Sequence, residues 1–167
     1  FNYVNQQSNV KQTQAGTLYL RSKQNKFKAI LPGQELISNG QTQWTYLKND
    51  KEVQVSDVDN SSDALNPAQI FTIYEKGFKY VYTGESKLNG RAYQNIELAP
   101  LATRSFSKIK LRVDKANKQI YSFAVYDKNG NIYTYIVNSF TPNVKISDAV
   151  FSFDASKHPG VDVVDLR

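Results

Sequence analysis

The sequence predicts a mainly β domain built from antiparallel hairpins. Three observations carry this reading. Turn signals cut the chain at short intervals, with Asn-Gly pairs at Asn39-Gly40, Asn89-Gly90 and Asn129-Gly130. Runs rich in β-branched and aromatic residues lie between them. Aromatics reach 13% of the chain, with 11 Tyr and 9 Phe, an excess that suits pleated, half-buried surfaces.

Asn-Gly accepts the positive φ angles of a type I′ turn, so each pair is expected to close a tight hairpin. Lys48-Asn49-Asp50-Lys51 and Lys115-Ala116-Asn117-Lys118 read as longer hairpin loops. Strands are expected over 14–22, 26–31, 34–39, 42–48, 52–57, 78–84, 91–98, 106–113, 118–126 and 131–140. Short pieces near 1–6, 150–153 and 161–165 add edges. Connections this short are too brief for parallel crossovers. A meander that curls into a barrel or half barrel is therefore expected. One helix stands out. Asn66-Pro67 supplies a cap and a first-turn proline, Ile70, Phe71, Ile73 and Tyr74 crowd the next turns, and Gly77 ends it. Thr141-Pro142 breaks the chain before a short turn at Ser147-Asp148-Ala149.

Side-chain parity separates two kinds of strand. Leu18 and Leu20, and then Ile109, Leu111 and Val113, place apolar residues on one face only. Two later strands are apolar on both. Ile120, Ala124 and Tyr126 oppose Tyr121, Phe123 and Val125, while Ile132 and Ile136 oppose Tyr133, Tyr135 and Val137. A sheet apolar on both faces needs two covers, and packed protein, a helix, a partner or a ligand each meets that need.

Composition narrows the function classes. The 167 residues fit one domain spanning 1–167. Apolar residues make 40% and charged residues 22%, which excludes a disordered chain. No apolar run approaches the ~18 residues of a membrane span. The absence of Cys excludes disulfides, thiolate metal sites and a Cys nucleophile within this segment. The chain has no Met, so Phe1 is read as a trimmed start with an upstream segment. The net charge of +6 favours solubility, with attraction to anionic lipid or nucleic acid as the functional alternative. Basic residues such as Lys108, Lys110, Arg112 and Lys115 are scattered among acids with no arginine block, so no nucleic-acid partner is expected.

No catalytic constellation is present in the sequence. His158 is the one histidine. It sits in Lys157-His158-Pro159-Gly160, without a G-x-S-x-G nucleophile motif or enough companions for a metal site. Asp57-Val58-Asp59-Asn60-Ser61-Ser62-Asp63 starts like a calcium loop. It has Ser62 where glycine is needed and Ala68 where the bidentate glutamate is needed. No enzyme activity, cofactor or metal is expected.

Ordered segments along the chain resemble the LolA-type outer-membrane lipoprotein carriers. They are Gly16-Thr17-Leu18-Tyr19-Leu20-Arg21 with Lys26-Phe27-Lys28, then Glu35 through Tyr46 with its Trp44-Thr45-Tyr46 strand, then Asn66-Pro67-Ala68-Gln69-Ile70-Phe71. Ile96-Glu97-Leu98-Ala99-Pro100, Tyr126-Asp127-Lys128-Asn129-Gly130 and Phe151-Ser152-Phe153-Asp154 continue the series. The sequence looks most like the branch found in Bacteroidetes-type bacteria. The resemblance implies a single curved antiparallel sheet of about eleven strands, an incomplete barrel with a short helical lid over an apolar cavity. It implies a periplasmic, monomeric carrier of acylated lipoproteins. Such a carrier is loaded by an inner-membrane ATP-driven exporter and unloaded at an outer-membrane receptor or the outer membrane itself. The implied lipid-binding residues are Leu18, Leu20, Phe27, Trp44, Tyr46, Ile70, Phe71, Ile73 and Leu111. Many members carry a basic-Arg-Pro triplet whose Arg latches the lid. Arg21-Ser22-Lys23 stands there instead, leaving Arg21 as the latch candidate. The resemblance also implies a first helix and a signal peptide, which are expected upstream of Phe1. A receptor or sensor on the same fold, and a glycan-binding module with exposed Tyr side chains, are the alternatives.

Overall fold

The computed structural model describes residues 1–5, 10–59 and 75–167. Thirteen strands lie among them. In chain order they are β1 (Asn2–Asn5), β2 (Lys11–Thr13), β3 (Thr17–Arg21), β4 (Lys26–Leu31), β5 (Gln34–Asn39), β6 (Thr42–Leu47) and β7 (Glu52–Asp57). These are followed by β8 (Phe78–Leu88), β9 (Arg91–Pro100), β10 (Phe106–Asp114), β11 (Ile120–Asp127), β12 (Asn131–Ile136) and β13 (Asp162–Asp165). The ten principal strands expected from the sequence are all present. The expected helix begins within 60–74, and its residues Ile70, Phe71 and Ile73 lie outside the described residues.

The chain divides into two compact units. The first comprises Phe1–Thr13 and Ile73–Pro142 and holds a seven-stranded antiparallel sheet in the order β2-β1-β12-β11-β10-β9-β8. Its buried residues include Leu98, Phe106, Ile109, Phe123 and Val125. The second comprises Gln14–Thr72 and Asn143–Arg167 and holds a six-stranded sheet in the order β13-β7-β6-β5-β4-β3. Phe27, Ile37, Val53 and Phe151 are buried there. Each such side chain contributes about 1.5–3 kcal/mol by leaving water.

The single sheet is thus corrected to two sheets, which share thirteen strands among the described residues where about eleven were expected. The physical reason lies at residues 14–16, where the chain leaves β2 for β3 without pairing them. Gly16 makes that passage feasible, because a Cβ there would lie 2.3 Å from the Ile30 carbonyl oxygen. The all-antiparallel expectation is also corrected, since β13 runs parallel to β7, with Val163 opposite Val53. The crossover argument does not constrain this pair, because β8 to β12, five strands of the other sheet, intervene in sequence. The expected edge strand near 150–153 is a 3-10 turn at Asp148–Phe151, capped by the Ser147 hydroxyl, which accepts from the Ala149 amide.

The three Asn-Gly pairs make three different turns. Asn89 and Gly90 both take positive φ, 50° and 76°, between the paired Leu88 and Arg91, as type I′ requires. At Asn129-Gly130 only Gly130 is positive, in the three-residue loop 128–130, and the amides of Asn129 and of the first β12 residue, Asn131, donate to the Asp127 carboxylate. At Asn39-Gly40 the pairing shifts the loop to Gly40-Gln41. There Gly40 takes φ 97° as the first loop residue, and Asn39 instead accepts from the Gln41 and Thr42 amides.

Candidate ligand-binding faces

The seven-stranded sheet has one strongly apolar face. Side chains directly opposite each other in an antiparallel ladder share a face, so the register identifies its members. One row runs Tyr80, Leu98, Ile109, Val125, Tyr133, Tyr3 across six strands. The next runs Tyr82, Ile96, Leu111, Phe123, Tyr135. The centre is buried, from Leu98 at 0% exposure to Leu111 at 4%. Tyr80 and Tyr82, at the β8 end, are more than half exposed. Phe123 stacks on Tyr135 with centroids 4.4 Å apart and planes 11° apart, and Phe1 lies 4.9 Å from Tyr135. Burial, and secondarily the neighbouring Tyr133, raises the Tyr135 phenol above its ordinary value. The Tyr3 hydroxyl donates to the Asn131 side-chain oxygen at 2.9 Å.

Among the described residues, Leu111 is the one implied site residue in this unit, and the others lie in the second unit. There the register divides them. Leu18, Leu20 and Phe27 share one face, with Leu18 opposite Ala29 and Leu20 opposite Phe27. Phe27 pairs with Ser38 and Ser38 with Gln43, so Trp44 points to the other face together with Ile37, Tyr46, Val53 and Val55.

That second face is crossed by the C-terminal segment. Tyr46 packs against Phe153 at 5.2 Å and His158 at 4.8 Å, while Phe153 stacks on His158 at 13°. His158 is therefore part of an aromatic cluster. Between sheet and segment lies an open groove of about 550 Å³, lined by Tyr19, Ile30, Ile37, Val150 and Phe153 among others. Its polar wall is Glu35, which holds Lys28 and Lys48 at 2.8 Å each. Burial pushes the Glu35 carboxyl up, but the two lysines outweigh it and hold the group below its ordinary value.

Arg21 acts on the same segment. Its Nη1 donates to Asp148 Oδ1 at 2.6 Å, its Nη2 donates to the Ile146 carbonyl, and its guanidinium lies 5.4 Å from the Phe151 ring. Lys26 reaches the same carboxylate at 3.1 Å. Arg21 thus fastens the C-terminal segment to the sheet; any contact with the expected lid helix falls outside the described residues. Asp148 is held below its ordinary value by the Lys26 hydrogen bond first and by Arg21 after it.

Sequence reasoning did not single out Ile96, Leu98, Phe123, Tyr133 or Tyr135 as site residues. Their signal was present as apolar parity in 120–126 and 132–137, but it needed the cross-strand register to become a surface. No cluster of metal-ligating side chains occurs among the described residues.

A family model described as outer membrane lipoprotein carrier protein LolA matches residues 2–154. The chain belongs to the LolA family. LolA-family proteins bind and carry, and are periplasmic in general. Among solved structures, an uncharacterized conserved protein from Thermus thermophilus is 12% identical, with a TM-score of 0.58. The match covers 98% of this chain and 87% of that one, and it shows a shared fold. A putative outer membrane lipoprotein-sorting protein domain from Vibrio parahaemolyticus is 16% identical over 77% of this chain and 63% of its own, with a TM-score of 0.41. A structure of the Pseudomonas aeruginosa MucA/MucB complex matches at 14% identity over 91% of this chain and 53% of its own, with a TM-score of 0.48. No curated protein matches.

Proposed function

We propose that this LolA-family chain carries the acyl chains of lipoproteins across the periplasm, receiving them from an inner-membrane exporter and delivering them to an outer-membrane acceptor. The observation that carries the reading is the apolar face of the seven-stranded sheet. Two register rows, from Tyr80 and Tyr82 to Tyr3 and Tyr135, form a face of large side chains with no charge on it, buried at its centre and open at Tyr80 and Tyr82, where an acyl chain would enter. Leu111 sits in its second row. Leu18, Leu20 and Phe27 are assigned as further acyl contacts on the six-stranded sheet, and Ile70, Phe71 and Ile73 keep that assignment from the family resemblance. Trp44 and Tyr46 line the face beneath the C-terminal segment and take the same role there.

The energetics suit a carrier. Each buried CH₂ contributes ~0.8 kcal/mol, so acyl chains do not cross water unshielded. A surface without charged partners holds them by contact area alone and releases them to any equally apolar acceptor. Uptake of a fluorescent fatty acid by the delipidated protein tests this. Lengthening the probe by two methylenes is expected to tighten binding on the order of tenfold. Affinity that does not change with chain length refutes an acyl site.

A further inference from the structure

The opposite face of the seven-stranded sheet has a different chemistry, and its charge is unevenly placed in the molecule. The unit that holds this sheet has twelve Lys and Arg against five Asp and Glu, a net charge of +7. The other has nine against ten, a net charge of −1. The net positive charge of the chain therefore belongs to one unit, because in the other the nine Lys and Arg are balanced by acids.

The register gathers part of that charge on one face. One row runs Lys108, Tyr126, Ile132, Val4, Lys11. The next holds Val81, Glu97, Lys110, Ala124 and Thr134. The third sets Arg112 opposite Ser122 and Ser122 opposite Ile136. Lys79, opposite Ala99, lies on the same face two residues from Val81. Glu97 is the only acid in these rows. It is shared by Lys108 at 3.2 Å and Lys110 at 4.0 Å, and both ammonium groups lie within 5.6 Å of the Tyr126 ring. Lys11, Lys79 and Arg112 make no ion pair among the described residues. Val81 and Ile136 are exposed beside them.

We infer that this face docks the protein on an anionic lipid bilayer. Lys108, Lys110 and Arg112 repeat every second residue, about 7 Å apart, and Lys11 lies four strands away, about 19 Å across the sheet. Cations spread in two dimensions match a plane of lipid phosphates better than a single polyanionic strand. The exposed Val81 and Ile136 and the Tyr126 ring give the same face the half-apolar chemistry of the headgroup layer. This inference stands apart from acyl binding, which uses the other side of the sheet.

The test is co-sedimentation of the purified chain with vesicles of phosphatidylcholine, alone or mixed with phosphatidylglycerol, at low and high salt. Binding is expected only to the mixed vesicles and is expected to fall as salt screens it. Each basic residue near such a surface is worth about fivefold in affinity, so the triple variant K79Q/K110Q/R112Q should lose on the order of a hundredfold. The variant K87Q/K118Q/K128Q removes the same charge from other sites of the same unit and should lose far less. Circular dichroism verifies that both variants are folded, and fatty-acid uptake should be unchanged in both. Equal losses in the two variants, or equal binding to neutral vesicles, overturn the inference. Binding to an oligonucleotide or polyglutamate as tight as to the mixed vesicles also overturns it, because the face then reads charge and not a bilayer.

Discussion

Phe123 tests whether the apolar rows are one packed surface. It is 3% exposed, sits opposite Leu111 and Tyr135 in the register, and stacks on the Tyr135 ring at 4.4 Å. Truncation to alanine removes a buried ring and leaves a cavity, a change that costs about 4 kcal/mol. A chain of 167 residues unfolds with an entropy of about 0.35 kcal/mol/K. The Phe123→Ala variant should therefore melt about 11 °C below the parent. Part of that loss belongs to the ring pair itself, which a double-mutant cycle with Phe123→Leu and Tyr135→Leu isolates. The coupling expected for an offset stack is about 1 kcal/mol beyond area burial. Thermal unfolding followed by circular dichroism reads both quantities. A shift below about 3 °C for Phe123→Ala, or a coupling indistinguishable from zero, would refute the packing argument.

Other expectations concern the second unit. Arg21→Ala removes the fastening of the C-terminal segment, so limited proteolysis after Lys145 and Lys157 should accelerate severalfold, whereas Arg21→Lys should restore only part of the protection because it cannot reach Asp148 and the Ile146 carbonyl together. Asp148 and Glu35 both sit below their ordinary carboxyl values, so their contribution is complete above the unfolded values of 3.8 and 4.5 and is lost as pH falls through the folded ones. Protease resistance of the segment should be level at neutral pH and decline below about pH 4; a decline beginning near neutrality would contradict these ion pairs. Gly16→Ala forces a Cβ against the Ile30 carbonyl at 2.3 Å and the Leu31 side chain at 2.7 Å. It should destabilise the fold by about 1–3 kcal/mol, read from the denaturation midpoint.

Local chemistry was legible in the sequence where it was self-contained. Leu88-Asn89-Gly90-Arg91 carries its whole turn in two residues, and the strands on either side follow at once. Asn39-Gly40 carries the same dipeptide, yet the register of Ser38 with Gln43 moves the loop one residue on. Pairing of distant strands was beyond reach for the same reason. Nothing local to Asp162–Asp165 says that it joins β7 in parallel, and nothing at residues 14–16 says that β2 and β3 belong to different sheets. The site follows the same rule. Alternation in 120–126 and 132–137 revealed two apolar faces, and only the ladder joined Phe123 to Leu111 and Tyr135. Trp44 and Phe27 looked equivalent as aromatic strand residues, and the ladder sets them on opposite faces. Arg21 entered as a latch candidate through the family resemblance, and nothing local pointed to its partner Asp148, 127 residues away.

Native mass spectrometry of the protein purified from its native cells, with extraction of whatever lipid comes with it, tests the central claim most directly. The account predicts a co-purifying acylated peptide or long-chain lipid, released when a hydrophobic acceptor is added. A lipid-free protein that also takes up no fluorescent fatty acid would contradict it.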